Sequence, residues 1–179
     1  MSPVYARCLG PELDALDADL RAVHGGYGRF HGRIAVDAPA RFPMRQICRW
    51  LGFPEATEDA AFQFSTERGH IADIWTRQIG DQVMRSQLWL TGDGLLAEKL
   101  GPVTAVSALQ IKDGTLCLRL RRMRVLGIPV PLVIAPRVET TERGQDGLYI
   151  FDVSIRLPLA RAPLVRYAGF LALAVTVSA

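Results

Sequence analysis

Four runs with a two-residue period, Gln82–Leu90, Val103–Lys112, Thr115–Arg122 and Leu148–Leu157, constrain this chain more than any other feature. Alternation of apolar and polar residues puts one kind on each face of a strand. Asp93-Gly94, Asp113-Gly114 and Asp146-Gly147 lie between the runs. Asp-Gly supplies the positive φ angles that a tight hairpin needs. Consecutive hairpins make a curved antiparallel sheet with one apolar face. Whether packed helix or bound ligand covers that face is the functional question.

The inward sets can be read off directly. Met84, Leu88 and Leu90 share a face, as do Val103, Ala105, Ser107, Leu109 and Ile111. Leu116, Leu118 and Leu120 continue the pattern, and Tyr149, Phe151, Val153, Ile155 and Leu157 show it most strongly. Arg29–Asp37 adds a strand with Phe30, Ile34 and Val36 on one side. Ala61–Glu67, Ile71–Ile79, Leu95–Leu100 and Leu164–Leu173 read as further strands. Ahead of them, Pro11 opens a helix to about His24 with Leu13, Leu16, Leu20 and Val23 in one stripe. Gly25-Gly26 should end it as a left-handed cap. A second helix starts at Pro43, with Met44, Ile47 and Leu51 facing inward.

One stretch breaks the alternation. Val125–Pro136 is apolar almost throughout and carries three prolines. Proline is excluded from central strands, so this segment reads as a loop with at most one helical turn from Pro131. Left open to water it would form an exposed patch. It therefore folds over the mouth of the sheet as a lid or docks on a partner.

These elements give an α+β, mainly β, single domain over residues 1–179. The antiparallel meander forms a barrel or half-barrel of about nine strands with two short N-terminal helices. Closure removes the exposed edges of an open sheet. At 179 residues with 49% hydrophobic side chains the chain can bury a substantial core, so global disorder is excluded.

The balance is mildly basic, +3 with a sequence pI near 9.0. The one tight cationic cluster is Arg119, Arg121, Arg122 and Arg124. Arg119 and Arg121 lie on the polar side of a strand, so a solvated face is the reading over a nucleic-acid or lipid-headgroup site, and no nucleic acid is expected. Cys8, Cys48 and Cys117 are widely spaced, lack metal-ligand spacing and follow no secretory leader. Reduced thiols in a cytoplasmic protein are the expectation. Ala168–Ala179 is apolar but about a dozen residues long, whereas a bilayer-spanning helix needs ~20. A terminal strand, not a transmembrane segment, is expected.

Catalytic signals are weak. His24 falls in the last turn of the first helix, where an imidazole complements the dipole. His31 lies on a wet strand face, and His70 sits at a turn. No serine occupies a nucleophile elbow, and no histidine pair has helical zinc spacing. No catalytic residue, cofactor or metal is expected. A small hydrolase or isomerase would require a polar, water-accessible pocket holding Asp73, Arg77 or a histidine.

Trp75-x-Arg77 is the best local candidate. On a strand these residues share a face with Ile71, Asp73 and Ile79. Charges on an apolar face are costly unless paired. If the face is interior, Arg77 and Asp73 form a buried polar focus suited to a ligand carboxylate. If it is exterior, Trp75 covers the stem of Arg77.

Motifs along nearly the whole chain point to a family. They include His24-Gly25-Gly26, Phe30-x-Gly32, Trp75-x-Arg77 and Glu98-x-x-Gly101-Pro102. Leu126-Gly127-Ile128-Pro129-Val130-Pro131, Pro136, Phe151-Asp152-Val153, Leu157-Pro158 and Tyr167-x-Gly169 follow in order. The sequence resembles domain of unknown function 4166, a bacterial family found alone or fused behind saccharopine-dehydrogenase-like reductase domains. The resemblance implies no activity, ligand or catalytic residue, and a chain without the reductase would act alone or in trans.

The function expected is a non-catalytic binding module. It would hold an apolar, lipid-like or isoprenoid-like molecule in the curved sheet, with Trp75, Arg77, Asp73, Ile128 and Leu132 contacting it. The alternative is a structural or interaction domain that docks on a reductase partner or self-associates through residues 125–136.

Overall fold

The computed structural model describes residues 2–173. Its strands are β1 (Gly28–Asp37), β2 (Thr57–Arg68), β3 (Asp73–Ile79), β4 (Gln82–Leu90), β5 (Leu96–Leu100) and β6 (Val103–Lys112), followed by β7 (Thr115–Val125), β8 (Ile128–Val130), β9 (Arg137–Gln145), β10 (Leu148–Arg156) and β11 (Val165–Ala172). Ten of them close an antiparallel barrel in the order β6-β5-β4-β3-β2-β1-β11-β10-β9-β7, with β7 returning to β6. The hairpins are where the Asp-Gly pairs put them. Asp113 and Gly114 have φ of 49° and 74°, and Asp146 and Gly147 have 53° and 77°.

The ring is completed where β1 meets β11, from His31 opposite Ala172 to Asp37 opposite Arg166. That seam requires bare backbone. A Cβ on Gly32 would stand 1.8 Å from the Phe170 carbonyl oxygen, and one on Gly169 would stand 2.2 Å from that of Arg33.

One end of the barrel is plugged by the N-terminal segment. It comprises α1 (Val4–Leu9), a 3₁₀ stretch (Gly10–Ala15) and α2 (Ala18–His24). The Val4 amide donates to Asp73 Oδ2 at 2.5 Å, fixing the start of α1 against β3. The Asp17 amide donates to the Gly114 carbonyl, and Asp19 Oδ2 accepts from the Gly147 amide at 3.1 Å. Two hairpin turns thereby hold α2. Leu16, Leu20 and Val23 are at most 3% exposed, and full burial of such side chains contributes about 1.5–3 kcal/mol each. The opposite end is a mouth, edged by α3 (Met44–Trp50), the β5–β6 turn and residues 131–136.

Several expectations need correction. The helix expected from Pro11 to His24 is interrupted at Leu16, whose extended ψ of 149° ends the 3₁₀ stretch. It closes without a left-handed glycine, since Gly25 has φ of −86°. Helix α1 was not foreseen. In α3 Cys48 is the buried residue and Ile47 is 42% exposed. Ile71 lies outside β3 and is 92% exposed. The expected loop at Val125–Pro136 contains β8, a short strand on the free edge of β7, where Pro129 is tolerated. One turn does follow from Pro131, whose carbonyl accepts from Ile134 and Ala135. Strand β9 was missed because its inward positions include Thr140 and Glu142 and break the apolar alternation. The ring therefore has ten strands where about nine were expected. The C-terminal run expected to be a strand is one through Ala172, and residues 174–179 lie outside those described.

A bulge adjusts the cavity wall. Opposite Val106–Ser107, β7 carries one extra residue, so the inward set Leu116, Leu118, Leu120 continues at Met123. Arg122 is turned outward and reaches Asp93 at 2.9 Å. One inserted residue exchanges the faces of everything beyond it.

Candidate functional site

The barrel is hollow. A cavity of about 170 Å³ opens toward the mouth, and a smaller one of about 60 Å³ adjoins it. Trp75, Arg77, Met84, Glu142, Val153 and Tyr167 line both, so they form one divided interior. Leu118, Leu120, Met123, Val138 and Ile155 supply apolar wall from β7, β9 and β10. Tyr5, carried in on α1, forms the floor.

The alternation that builds each strand also aims these residues inward. Trp75 and Arg77 lie two apart on β3, so both face the interior. There the Arg77 guanidinium donates to Ser86 Oγ at 2.9 Å and to Glu98 Oε1 at 3.1 Å. Its carbon stands 5.2 Å from the Trp75 ring centroid and 5.8 Å from that of Phe64, within cation–π range. Burial is the largest influence and works against its charge, but Glu98, Tyr167 and Tyr5 together outweigh it and the pKa is raised.

A second polar group lies below. His24 Nε2 and Glu142 Oε2 are 2.7 Å apart and both residues are buried. The His24 ring stacks on Tyr5 at 4.3 Å, Tyr5 stacks on Trp75 at 4.9 Å, and His24 and Trp75 are 5.9 Å apart, so the three rings form one compact, nearly parallel cluster. Burial and the neighbouring Glu142 push the Tyr5 and Tyr149 hydroxyls well above their ordinary pKa. Burial takes Tyr167 to about 12, with Arg77 pulling the other way. All three are therefore neutral phenols at physiological pH.

The five residues singled out from sequence are not assembled in one place. Trp75 and Arg77 line the cavity together. Asp73 is interior but serves the plug, accepting from the Val4 amide and from the Tyr27 hydroxyl at 3.0 Å. The expected Arg77–Asp73 focus does not form. Residues four apart on a strand share a face yet stand roughly 13 Å apart, and Glu98, two strands away, reaches Arg77 instead. Ile128 and Leu132 are 68% and 53% exposed and do not line the cavity, although the neighbouring Pro136 does. His24, expected as a helix-end cation, is 1% exposed and engages Glu142. His31 and His70 are exposed.

Glu142 and Tyr5 escaped the sequence reading, and Glu98 and Tyr167 entered it only as motif residues of the family, with no site role. For Glu142 a signal existed: the Asp146-Gly147 turn demands a strand on both sides. Chemically, the interior offers an apolar body with a compensated arginine, two carboxylates and buried hydroxyls. Ser107 lines the cavity without a hydrogen-bonded histidine or carboxylate among the described residues. Among those residues no three His, Cys, Asp or Glu side chains cluster as metal ligands would.

No curated protein and no solved structure matches the chain. Residues 16–171, which run from the plug to the last strand of the ring, match the family described as Domain of unknown function (DUF4166), and the chain belongs to that family.

Proposed function

We propose that this protein is a non-catalytic, cytoplasmic binding module for a small, mainly apolar and uncharged molecule, isoprenoid-like or lipid-like. One observation carries the reading: a mostly apolar cavity whose partly buried cation, Arg77, is already paired with Glu98 and hydrogen-bonded to Ser86. An apolar cavity of roughly 150 Å³ takes up a molecule the size of benzene. The cavity of about 170 Å³ therefore encloses a ring or a short branched chain, and a longer tail extends into the mouth.

Charge narrows the ligand further. A carboxylate beside Arg77 would also meet Glu98 and Glu142, so a free acid is disfavoured. A hydroxyl can donate to either carboxylate. The ligand is accordingly an alcohol or another neutral molecule with a polar end.

Geraniol and geranic acid share one carbon skeleton and make the test direct. Near neutral pH, displacement of a fluorescent apolar probe should favour the alcohol by on the order of tenfold. Native mass spectra of gently purified protein should show retained ligand. Unliganded protein on repeated purification, together with no probe uptake, overturns the reading.

A further inference from the structure

The mouth end of the barrel differs from the plugged end in both charge and polarity. Leu126, Ile128, Leu132, Val133 and Ile134 are 53–82% exposed on the segment that follows β7. Leu159, between β10 and β11, is fully exposed, and Phe42 and Trp50 are 81% and 56% exposed around α3. Strand pairing puts all of these at one end. The Leu126 amide donates to the Pro102 carbonyl, Gly101 lies against the Leu51 backbone, and Arg137 stands opposite Arg156.

The connections at this end carry Arg41, Arg45, Arg49 and Arg161 against Glu55 and Asp81. Arg45 and Arg49 share Glu55, at 3.6 and 3.4 Å. Arg41 and Arg161 have no ion-pair partner among the described residues. At the plugged end the sign reverses. Asp93, Asp113 and Asp146 occupy the turns, and Glu12, Asp14, Asp17 and Asp19 stand against Arg7 and Arg21 in the plug.

From this polarity we propose that the mouth seats on an anionic lipid surface, with the apolar loops dipping into the acyl region and the arginines meeting headgroups. A rim of separate loops around an opening suits a deformable bilayer better than one complementary protein face. Burial of apolar side chains and attraction of basic residues to anionic lipid act together in such binding. No described helix is long and apolar enough to span a membrane, and this contact needs none. It also stands apart from cargo, because none of the exposed side chains lines the cavity.

Vesicle flotation of the whole chain tests it, using phosphatidylcholine with and without phosphatidylglycerol. The protein should float with the anionic vesicles and less so in high salt. Ile128→Ser with Val133→Ser should lower partitioning by on the order of tenfold. Arg41→Glu with Arg161→Glu should abolish the preference for phosphatidylglycerol. In the unaltered protein, brominated acyl chains should quench Trp50 fluorescence, a signal absent from Trp50→Phe. No flotation, or equal flotation of all variants, overturns the proposal. So does a stable dimer in light scattering that Ile128→Ser with Val133→Ser makes monomeric without vesicle binding, since the loops are then a protein interface. Geraniol uptake measured in parallel separates failure here from failure of the binding reading.

Discussion

His24 Nε2 at the end of α2 and Glu142 Oε2 on β9 are 2.7 Å apart, joining positions 118 residues distant in the chain. This contact ties the N-terminal plug to the barrel wall at β9. The other ring nitrogen of His24 is buried with no partner among the described residues, so Glu142 is the hydrogen-bonding group that offsets burial of the imidazole. Glu142→Leu should therefore destabilise the fold by about 2 kcal/mol, the usual cost of orphaning a buried polar group. His24→Phe combined with Glu142→Leu should recover most of that loss. Urea unfolding of the two variants checks both statements.

Arg77 and Glu98 form a partly buried pair, with side chains 16% and 27% exposed. Breaking one half leaves an uncompensated charge facing an apolar cavity. Arg77→Met should cost roughly 3 kcal/mol, whereas Arg77→Met with Glu98→Leu should approach the parent. Thermal denaturation across the double-mutant cycle measures the coupling, and equal losses in the single and double variants would contradict it.

Closure of the ring depends on the absence of a side chain at Gly32. Gly32→Ala should destabilise by at least about 3 kcal/mol, because the methyl group collides with rigid backbone of β11. Gly92→Ala is the control. Nothing lies within 4 Å of its Cβ and its φ is not positive, so its effect should stay within about 0.5 kcal/mol.

The four tyrosines predict the alkaline behaviour. Tyr5, Tyr27, Tyr149 and Tyr167 all have raised pKa values, burial being the first cause in each. The folded state thus holds the phenolic protons more tightly than the unfolded chain, whose tyrosines titrate near 10.0. Their contribution is complete below that pH and is lost as pH rises toward about 12, where Tyr167 ionises in the fold. Phenolate absorbance should stay low past pH 10 and then climb together with loss of the far-ultraviolet β signal. Tyr27, 38% exposed, can ionise ahead of the rest, but a climb of more than one ring's absorbance before unfolding would show that Tyr5, Tyr149 and Tyr167 are wet.

The sequence reading succeeded where a rule acts over a few neighbouring residues. Gln82–Leu90 and Val103–Lys112 coincide with β4 and β6 end for end, since alternation and the flanking turns are written locally. The reading failed where local pattern and burial part company. Thr140 and Glu142 are polar yet inward, so β9 lacked the apolar signature of its neighbours. Ile47 is apolar yet exposed, because α3 lies at the rim and not in the core. The candidate site was half legible. Trp75 and Arg77 could be found from a charge on an apolar face, whereas Glu98 and Tyr167 stood in family motifs but nothing in their own strands showed that they meet Arg77.

Taken alone, the order of residues determined which side of most strands is greasy and where the chain reverses, because both follow from backbone geometry within a few residues. Only the folded barrel decided that the ring closes through Gly32 and Gly169, that Arg77 meets Glu98 and not Asp73, and that the Leu126–Ile134 stretch faces outward. Those outcomes depend on strand register and on closure, which bring together side chains that no local spacing relates.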